Sequence, residues 1–320
     1  MGLHHMNYLW IAPAMVMAMT QPISEAGGDQ AIAPSLTDPD TEILGLDEDR
    51  HDRLTIPVTI DGVGPYDFMI DTGSQATVVT HEINDALDLD SLGMATLIGM
   101  ASRRSVQLVE LDSLEVGERT FHNLAAPVLE RTHIGADGII GLDSLQDLRV
   151  LIDFRNETIA VADVESDFNR KGFEIVVRAR HKLGQLLITD AEIEGVKATV
   201  IIDTGAQASL GNFALRDRLR AKRSLDVETT DVNGVTMMGE LAYAKTLTIQ
   251  NIVMRDMPIT YADAPAFEAL GLKDKPVLSL GMQHLRMFDR VAIDFSKQRI
   301  LFDVPRDVAR ELRRNRAKRF

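Results

Sequence analysis

Short apolar runs and period-2 alternations, rich in Val, Ile and Thr, recur along the chain from about residue 52 to residue 304. Gly-bearing turns separate these runs. A helical pattern of about ten residues follows only Thr80, as HEINDALDL, and Asn212, as FALRDRL. Strands with one buried face alternate in this way, and Thr and Asn are favourable helix N-cap residues. We therefore predict a mainly β fold with one short helix in each half of the chain.

The two halves of this pattern repeat each other. TIDGVGPYDFMIDTG aligns with EIEGVKATVIIDTG, which places Asp203 132 positions after Asp71. Further on, IIGLDSL aligns with SLGMQHL, but the offset has grown by about seven residues. The growth indicates an insertion around APAFEALGLKDKP, which we predict to be a loop from its Pro and Lys content. The repeat predicts two homologous β lobes related by a pseudo-twofold axis that passes between the two Asp-Thr-Gly turns.

The pattern also sets the expected domain boundaries. We predict a signal peptide over 1–26, a linker over 27–50, a first lobe over 51–165, a connector over 166–182, a second lobe over 183–304 and a basic tail over 305–320.

Composition and charge narrow the function classes. The chain has 320 residues, no Cys and a formal net charge of −14. The absence of Cys excludes disulfides, a thiol nucleophile and Cys-zinc sites. The negative charge argues against a general nucleic-acid surface, because phosphate binding needs clustered cations. Only the tail is basic, and we interpret it as a solvated terminal helix or as a contact for an acidic partner.

The N-terminus resembles an export signal. An apolar run from Tyr8 to Met19 is too short to span a bilayer and precedes small residues at Ser24 and Ala26. We expect an exported protein, periplasmic or secreted, without a stable membrane anchor once the signal is removed. The alternative is a buried N-terminal helix, since the segment before the run has no Lys or Arg.

The motifs IDTGSQATVV and IDTGAQASLG, with GIIGLDSL and its weaker partner SLGMQHL, resemble the pepsin and retropepsin superfamily of aspartic peptidases, in the form of tandem bacterial retropepsin-like domains in one chain. The resemblance covers about residues 52 to 304 and implies two acid-protease lobes that bring Asp71 and Asp203 face to face as a catalytic dyad. It implies support from the residues of the two turns, which are Thr72, Gly73, Ser74, Thr204, Gly205 and Ala206. Ser279 departs from the apolar-apolar-Gly pattern, because the first half has Ile139 at that position.

The resemblance also implies a mechanism. Two adjacent carboxylates share one proton, so the ionised member activates a water and the protonated member polarises the scissile carbonyl. No metal or cofactor is required. Because Ser74 has a hydroxyl and Ala206 does not, we predict that Asp71 is the charged partner and Asp203 the protonated one.

By their position in the resembled fold, two stretches are candidates for a flap that would cover an extended peptide. They are LIGMASRRSV, residues 97–106, and DVNGVTMMG, residues 231–239, where Asn233-Gly234 predicts a two-residue hairpin turn. Arg103 and Arg104 would either select acidic substrate side chains or be solvated. The candidate flap and substrate contacts are Met100, Ala101, Ser102, Asn233 and Gly234.

Other functions fit the residues less well. HEIND begins like a zinc-peptidase motif but has Asp85 where a second His is needed. A phosphoryl-aspartate enzyme has no use for a duplicated Asp. The alternative that remains is a non-catalytic peptide-binding or assembly module on the same fold. We predict a monomeric aspartic endopeptidase that acts on peptide or protein substrates, and the sequence does not identify those substrates.

Overall fold

A computed structural model describes residues 8–10, 41–45, 47–48, 54–146, 148–163, 173, 175–219, 223–306 and 308–310. The predicted tail and signal peptide therefore lie mostly outside the described residues, as do most of the predicted linker and the start of the connector. None of the described helices is long and apolar enough to cross a membrane.

The described elements are numbered in chain order. Up to residue 163 they are β1 Tyr8–Trp10, β2 Thr41–Gly45, β3 Asp47–Glu48, β4 Leu54–Ile60, β5 Val63–Ile70, β6 Val78–Thr80, α1 His81–Leu87, β7 Ser91–Ile98, β8 Arg103–Val116, β9 Arg119–Leu129, α2 Arg131–Ile134, β10 Gly138–Ile140, α3 Leu142–Leu145, β11 Leu148–Asp153 and β12 Thr158–Asp163. The remaining elements are β13 Ile175–Arg178, β14 Arg180–Lys182, β15 Gln185–Ile193, β16 Val196–Ile202, β17 Leu210–Gly211, α4 Phe213–Arg216, β18 Leu225–Thr230, β19 Thr236–Ile249, β20 Ile252–Tyr261, α5 Pro265–Ala269, β21 Val277–Leu280, α6 Met282–Leu285, β22 Arg290–Asp294 and β23 Arg299–Asp303.

The predicted fold class is confirmed: the protein is mainly β and contains two barrel-like sheets. The first sheet has the order β1-β7-β8-β9-β6-β10-β5-β4-β3, and an added pairing between β4 and β8 closes it. The second has the order β14-β15-β16-β21-β17-β20-β19-β18, and β15 pairs with β19 in the same way. Alternating buried residues of these strands fill the main hydrophobic core.

A third sheet joins the two lobes. Its order is β13-β23-β22-β11-β12-β2, and the antiparallel pair of β11 with β22 lies at its centre. In that pair Leu151 faces Ala292, and Arg149 faces Asp294. The guanidinium of Arg149 contacts the Asp294 carboxylate at 3.3 Å, and both side chains are buried. The lobes are therefore joined by main-chain hydrogen bonds and by a buried ion pair.

Several local predictions need correction. The helices after the N-cap positions are shorter than expected, with seven residues in α1 and four in α4. The predicted loop of the insertion contains α5, which begins with Pro265 in its first turn. Within the predicted linker, β2 pairs with β12. Within the predicted signal peptide, β1 pairs in parallel with Thr96, Leu97 and Ile98 of β7, and the signal peptide itself stays a prediction.

Candidate active site

Asp71 stands at the end of a strand that runs into the core. Phe68, Met69 and Ile70 of β5 are buried, and the Asp71 side chain is 0% exposed. Its Oδ1 accepts hydrogen bonds from the backbone N–H groups of Gly73 at 2.7 Å and Ser74 at 3.1 Å. The tight turn thus directs two amide dipoles at one carboxylate oxygen.

Asp203 occupies the same position at the end of β16. It is also 0% exposed, and its Oδ1 accepts from the N–H of Ala206 at 3.0 Å. Its Oδ2 accepts from the hydroxyl of Ser279 at 2.7 Å. Burial raises the pKa of Asp203 to about 6, while the Ser279 hydroxyl and the amides of Ala206 and Gly205 act in the lowering direction.

The two turns are joined by reciprocal hydrogen bonds between their Thr residues. The Thr72 hydroxyl donates to the carbonyl of Ile202 at 2.9 Å, and the Thr204 hydroxyl donates to the carbonyl of Ile70 at 2.8 Å. Each hydroxyl also accepts a hydrogen bond from the backbone N–H of the other Thr. The distance is 3.0 Å from the Thr72 nitrogen to the Thr204 hydroxyl and 3.2 Å from the Thr204 nitrogen to the Thr72 hydroxyl. This network places the two Asp-Thr-Gly turns against each other, as the repeat predicts.

The apolar-apolar-Gly strands lie directly beside the Asp strands. β10 pairs in parallel with β5, and β21 pairs in parallel with β16. The N–H of Asp71 donates to the carbonyl of Ile140, and that of Asp203 to the carbonyl of Leu280, both at 3.1 Å. The two lobes therefore hold their Asp residues in matching frames, including the second lobe, whose apolar-apolar-Gly motif is imperfect.

The prediction about Ser74 is wrong. Its hydroxyl donates to the carbonyl of Ala76 at 2.7 Å and not to a carboxylate. The hydroxyl that reaches a carboxylate belongs to Ser279 and reaches Asp203. The difference between Ser74 and Ala206 therefore does not favour a charge on Asp71.

Sequence reasoning also missed the residues behind the turns. In the first lobe Asp143 accepts hydrogen bonds from the N–H and the hydroxyl of Thr77, and burial raises its pKa in spite of them. In the second lobe Ser209 lies 2.7 Å from Nδ1 of His284, and burial lowers the pKa of His284 to about 4. Gln185 of the second lobe donates to the carbonyl of Gly73 at 2.7 Å. The sequence signals for these positions were the alignments of Thr77 with Ser209 and of Ser144 with His284.

The predicted flap residues lie at two hairpin tips. The first flap tip, residues 99–102, joins β7 to β8, and the second flap tip, residues 231–235, joins β18 to β19. The second tip has five residues and not the predicted two, because Thr230 pairs with Thr236. Gly234 adopts a φ of +70°, which favours Gly.

The two flap tips bind each other. Oδ2 of Asp231 accepts from the Ala101 N–H at 3.1 Å and from the Ser102 hydroxyl at 2.7 Å. The Asn233 side-chain amide donates to the same Ser102 hydroxyl at 2.8 Å. Arg103, which follows the first tip, pairs with Glu268 of α5 at 3.0 Å, and both side chains are about half exposed.

Each flap tip also buries an apolar side chain in the opposite lobe. Met100 packs in a cluster with Leu187 and Ile201 of the second lobe. Val232 packs in a cluster with Met69 and Ile139 of the first lobe. The two flap tips are thus held against each other and against the opposite lobes by reciprocal apolar and polar contacts.

Within the described residues, no group of three or more His, Asp or Glu is arranged to hold a metal ion. His81, from the motif that begins like a zinc site, instead lies near Glu130, with Nε2 3.8 Å from its carboxylate.

Comparison with protein families gives a match in each half of the chain. The family model for aspartyl protease matches residues 56–144 and 189–284. Each matched region contains one Asp-Thr-Gly turn and one apolar-apolar-Gly strand. No curated protein matches the chain.

Proposed function

The chain belongs to the aspartyl protease family. We propose that it is an endopeptidase and that Asp71 and Asp203 together form the site at which a substrate peptide bond is hydrolysed. One observation carries the proposal. The two Asp-Thr-Gly turns meet so closely that a Cβ atom on Gly205 would lie 2.3 Å from the carboxyl carbon of Asp71. A single carboxylate needs no such approach, whereas a dyad that shares a proton does.

The chemistry follows from the shared proton. Two buried carboxylates in contact do not both ionise near neutral pH, so one of them keeps a proton. The ionised carboxylate takes a proton from the attacking water, and the protonated one donates to the scissile carbonyl oxygen. The carboxyl group that has accepted the proton of water then protonates the leaving amine as the C–N bond breaks, and the other carboxylate takes back a proton from the hydrated carbonyl, which leaves a carboxylic acid product. These steps require neither a metal nor a covalent intermediate.

We propose that the substrate binds as an extended strand beneath the flaps, paired by main-chain hydrogen bonds. The edge of β7 just before the first flap tip supports this, since it already accepts an added strand: Tyr8–Trp10 pairs with Thr96–Ile98. Removal of a leader ending near residue 26 would free that edge for a substrate.

The flaps must open to admit a peptide, because both Asp residues are 0% exposed. Opening breaks the hydrogen bonds that Asp231 accepts from the first flap tip. It also withdraws Met100 and Val232 from the opposite lobes. We propose that flap opening limits the rate of turnover, as lid motions do in other enzymes.

We also propose that the active protein is an exported monomer that acts on peptides or proteins and not on nucleic acid. The sheet shared by β11 and β22 supports the monomer, since it builds both halves of the site into one chain. Sequencing the N-terminus of protein recovered from its native host tests export, and an intact Met1 would contradict it.

The test of the proposed function is cleavage profiling of a peptide library with the wild type, Asp71→Asn and Asp203→Asn. We expect cleavage by the wild type alone, with both variants retaining the wild-type circular dichroism spectrum. A statin-type transition-state mimic should bind the wild type far more tightly than the matching peptide. Equal binding of the two ligands without cleavage would instead indicate a peptide-binding module.

A further inference from the structure

A hairpin at the edge of the second barrel-like sheet reaches across to the first lobe. It is formed by β14 and β15, and its turn is Leu183-Gly184. The carbonyl of Leu183 accepts a hydrogen bond from the side-chain amide of Gln75. A Cβ atom on Gly184 would lie 3.2 Å from Cδ1 of Leu142 in α3. The hairpin turn is therefore packed directly against the lobe that carries Asp71.

Gln185, the residue that follows this hairpin turn, contacts the first Asp-Thr-Gly turn itself. Its side-chain Nε2 donates to the carbonyl of Gly73 at 2.7 Å. The side chain is 2% exposed, and its Oε1 has no hydrogen-bond partner among the described residues. A buried acceptor without a partner costs at least as much free energy as one hydrogen bond contributes. Gln185 therefore adds little to stability, although it joins the two lobes.

The Gly73 carbonyl that Gln185 contacts and the Ser74 N–H belong to one peptide unit. That N–H donates to Oδ1 of Asp71 at 3.1 Å and lies 3.2 Å from the main-chain carbonyl oxygen of Asp71 as well. The tilt of the peptide thus decides how the N–H is shared between these two oxygens. Because the peptide unit is planar and rigid, a hydrogen bond that fixes its carbonyl also fixes the direction of its N–H. A donor on the carbonyl also polarises the unit and strengthens the hydrogen bond that its N–H makes.

We infer that Gln185 is a positioning residue that holds the carboxyl group of Asp71 in its working orientation through the Gly73–Ser74 peptide. This inference rests on the proposed function. Without Gln185 the peptide can tilt, and the Ser74 N–H then moves from Oδ1 towards the main-chain carbonyl of Asp71. The role is the same whichever member of the dyad carries the shared proton.

Gln185 and the Thr network fix different features of the site. The hydroxyls of Thr72 and Thr204 bind main-chain carbonyls of the opposite lobe and so set the separation of the two turns. Gln185 binds the peptide after Gly73 and sets the tilt of one carboxyl group. A substitution of Gln185 should therefore leave the turns together and change only the direction in which Asp71 points.

The inference is tested by steady-state kinetics of Gln185→Met on a peptide that the wild type cleaves. Met fills a similar volume but has no donor for the Gly73 carbonyl. We expect kcat to fall by about tenfold or more, because small misplacements at a reacting centre are costly, and KM to stay within about twofold. We also expect a larger solvent deuterium isotope effect on kcat than in the wild type, because proton transfer would then limit turnover in place of flap opening.

Gln75→Met is the matched control. It removes another Gln hydrogen bond between the same hairpin and the first lobe, but that bond ends on the carbonyl of Leu183 and not on the peptide beside Asp71. We expect its kcat and isotope effect to match those of the wild type. Equal losses of kcat in Gln75→Met and Gln185→Met would overturn the inference, because they would reflect the packing of the hairpin alone.

Gln185→Asn is a second variant, which decides the matter if Gln185→Met does not fold. Its amide is one methylene too short to reach the Gly73 carbonyl, but the position stays polar. We expect the same loss of kcat as in Gln185→Met, with a circular dichroism spectrum and a urea midpoint close to those of the wild type. Wild-type kcat in either folded variant would overturn the inference.

The amide of Ser74 gives a readout that does not need activity. In ¹⁵N-labelled protein its exchange with solvent should be about tenfold faster in Gln185→Met than in the wild type, and unchanged in Gln75→Met. Unchanged kcat and exchange in a protein whose wild type cleaves peptides would refute the role of Gln185 alone. A wild type that cleaves nothing would contradict the proposed function, and the Ser74 exchange would still decide whether Gln185 holds the peptide.

Discussion

A Cβ atom on Gly205 would lie 2.3 Å from both Cγ and Oδ2 of Asp71, a separation that real Cβ atoms do not adopt. The main chain of one lobe therefore packs directly against the carboxylate of the other. The structure leaves no room for a side chain at position 205. The obstacle is the carboxyl group of Asp71, whose Oδ1 already accepts hydrogen bonds from two backbone amides.

Gly205→Ala should therefore separate the two Asp residues. Because a displacement of about 1 Å at a reacting centre can cost a hundredfold in rate, we expect kcat/KM to fall by about a hundredfold or more. The control is Gly195→Ala, since Gly195 has open space around it but a φ of +81°. That variant should lose about 1 kcal/mol of stability and keep its kcat/KM. Near-normal cleavage by Gly205→Ala would show that the turns stand further apart in the working enzyme.

The contact between the flap tips depends on Ser102, which donates to Asp231 and accepts from Asn233. Ser102→Ala removes both hydrogen bonds and leaves the turn of the second tip intact, because that turn is held by Oδ1 of Asp231. We expect amide hydrogen exchange at residues 99–102 and 231–235 to rise by about tenfold, which corresponds to the loss of about one net hydrogen bond.

Ser105→Ala provides the comparison for this measurement, because Ser105 is an exposed residue of the same hairpin whose backbone pairs with Thr96. Its exchange at the flap tips should match that of the wild type. Unchanged exchange in Ser102→Ala would mean that the buried Met100 and Val232 close the flaps without help from the polar contacts.

Protonation of His284 should destabilise the fold in mild acid. Burial lowers its pKa to about 4 from the ordinary 6.5, so between these values the unfolded chain binds a proton that the folded chain does not. The contribution of His284 to stability should therefore fall as the pH decreases from 6.5 to 4. In urea unfolding followed by circular dichroism, His284→Gln should lose about 3 kcal/mol less than the wild type over this window.

Asp203, whose pKa is raised to about 6, and Asp143, whose pKa is also raised, oppose this trend, but both are present in the two proteins and cancel in the comparison. Parallel losses of stability in the wild type and in His284→Gln would contradict the assignment of a neutral, buried imidazole.

The sequence predicts the dyad because local chemistry repeats. Asp71 and Asp203 each follow an apolar strand and precede Thr-Gly, and that frame alone fixes two matching turns. The pairing of β10 with β5 and of β21 with β16 follows from the resemblance. The residues that fix the distance between the turns, above all Gly205, were identifiable for the same reason.

The sequence does not predict which hydroxyl reaches a carboxylate. Ser74 is adjacent to the dyad in sequence, but its hydroxyl donates its hydrogen bond to the carbonyl of Ala76. Ser279 looked like a defect in an apolar strand, and only the parallel register of β21 with β16 brings it to Asp203. Pairings across sequence separations of this size depend on tertiary packing, and a linear pattern does not contain them.

Strand β2 was missed for a related reason. It lies in a stretch without hydrophobic periodicity, and we therefore predicted a linker there. The stretch forms a strand because it pairs with β12 at the edge of the shared sheet. An edge strand needs main-chain partners more than a buried face, so its sequence gives little signal.

The shared sheet leads to a prediction about how the active site is assembled. β11 of the first lobe pairs with β22 of the second over five residue pairs, and the buried contact of Arg149 with Asp294 lies in the same pair of strands. Breaking a buried ion pair typically costs several kcal/mol, so lobes joined in this way do not exchange readily between molecules. Linking them in one chain also raises the effective concentration of each lobe at the other to about millimolar.

We therefore expect that Asp71→Asn and Asp203→Asn each abolish cleavage and that a mixture of the two proteins stays inactive. If the mixture regains an appreciable fraction of wild-type kcat, the dyad forms between molecules, and the lobes are exchanged across the sheet of β11 and β22.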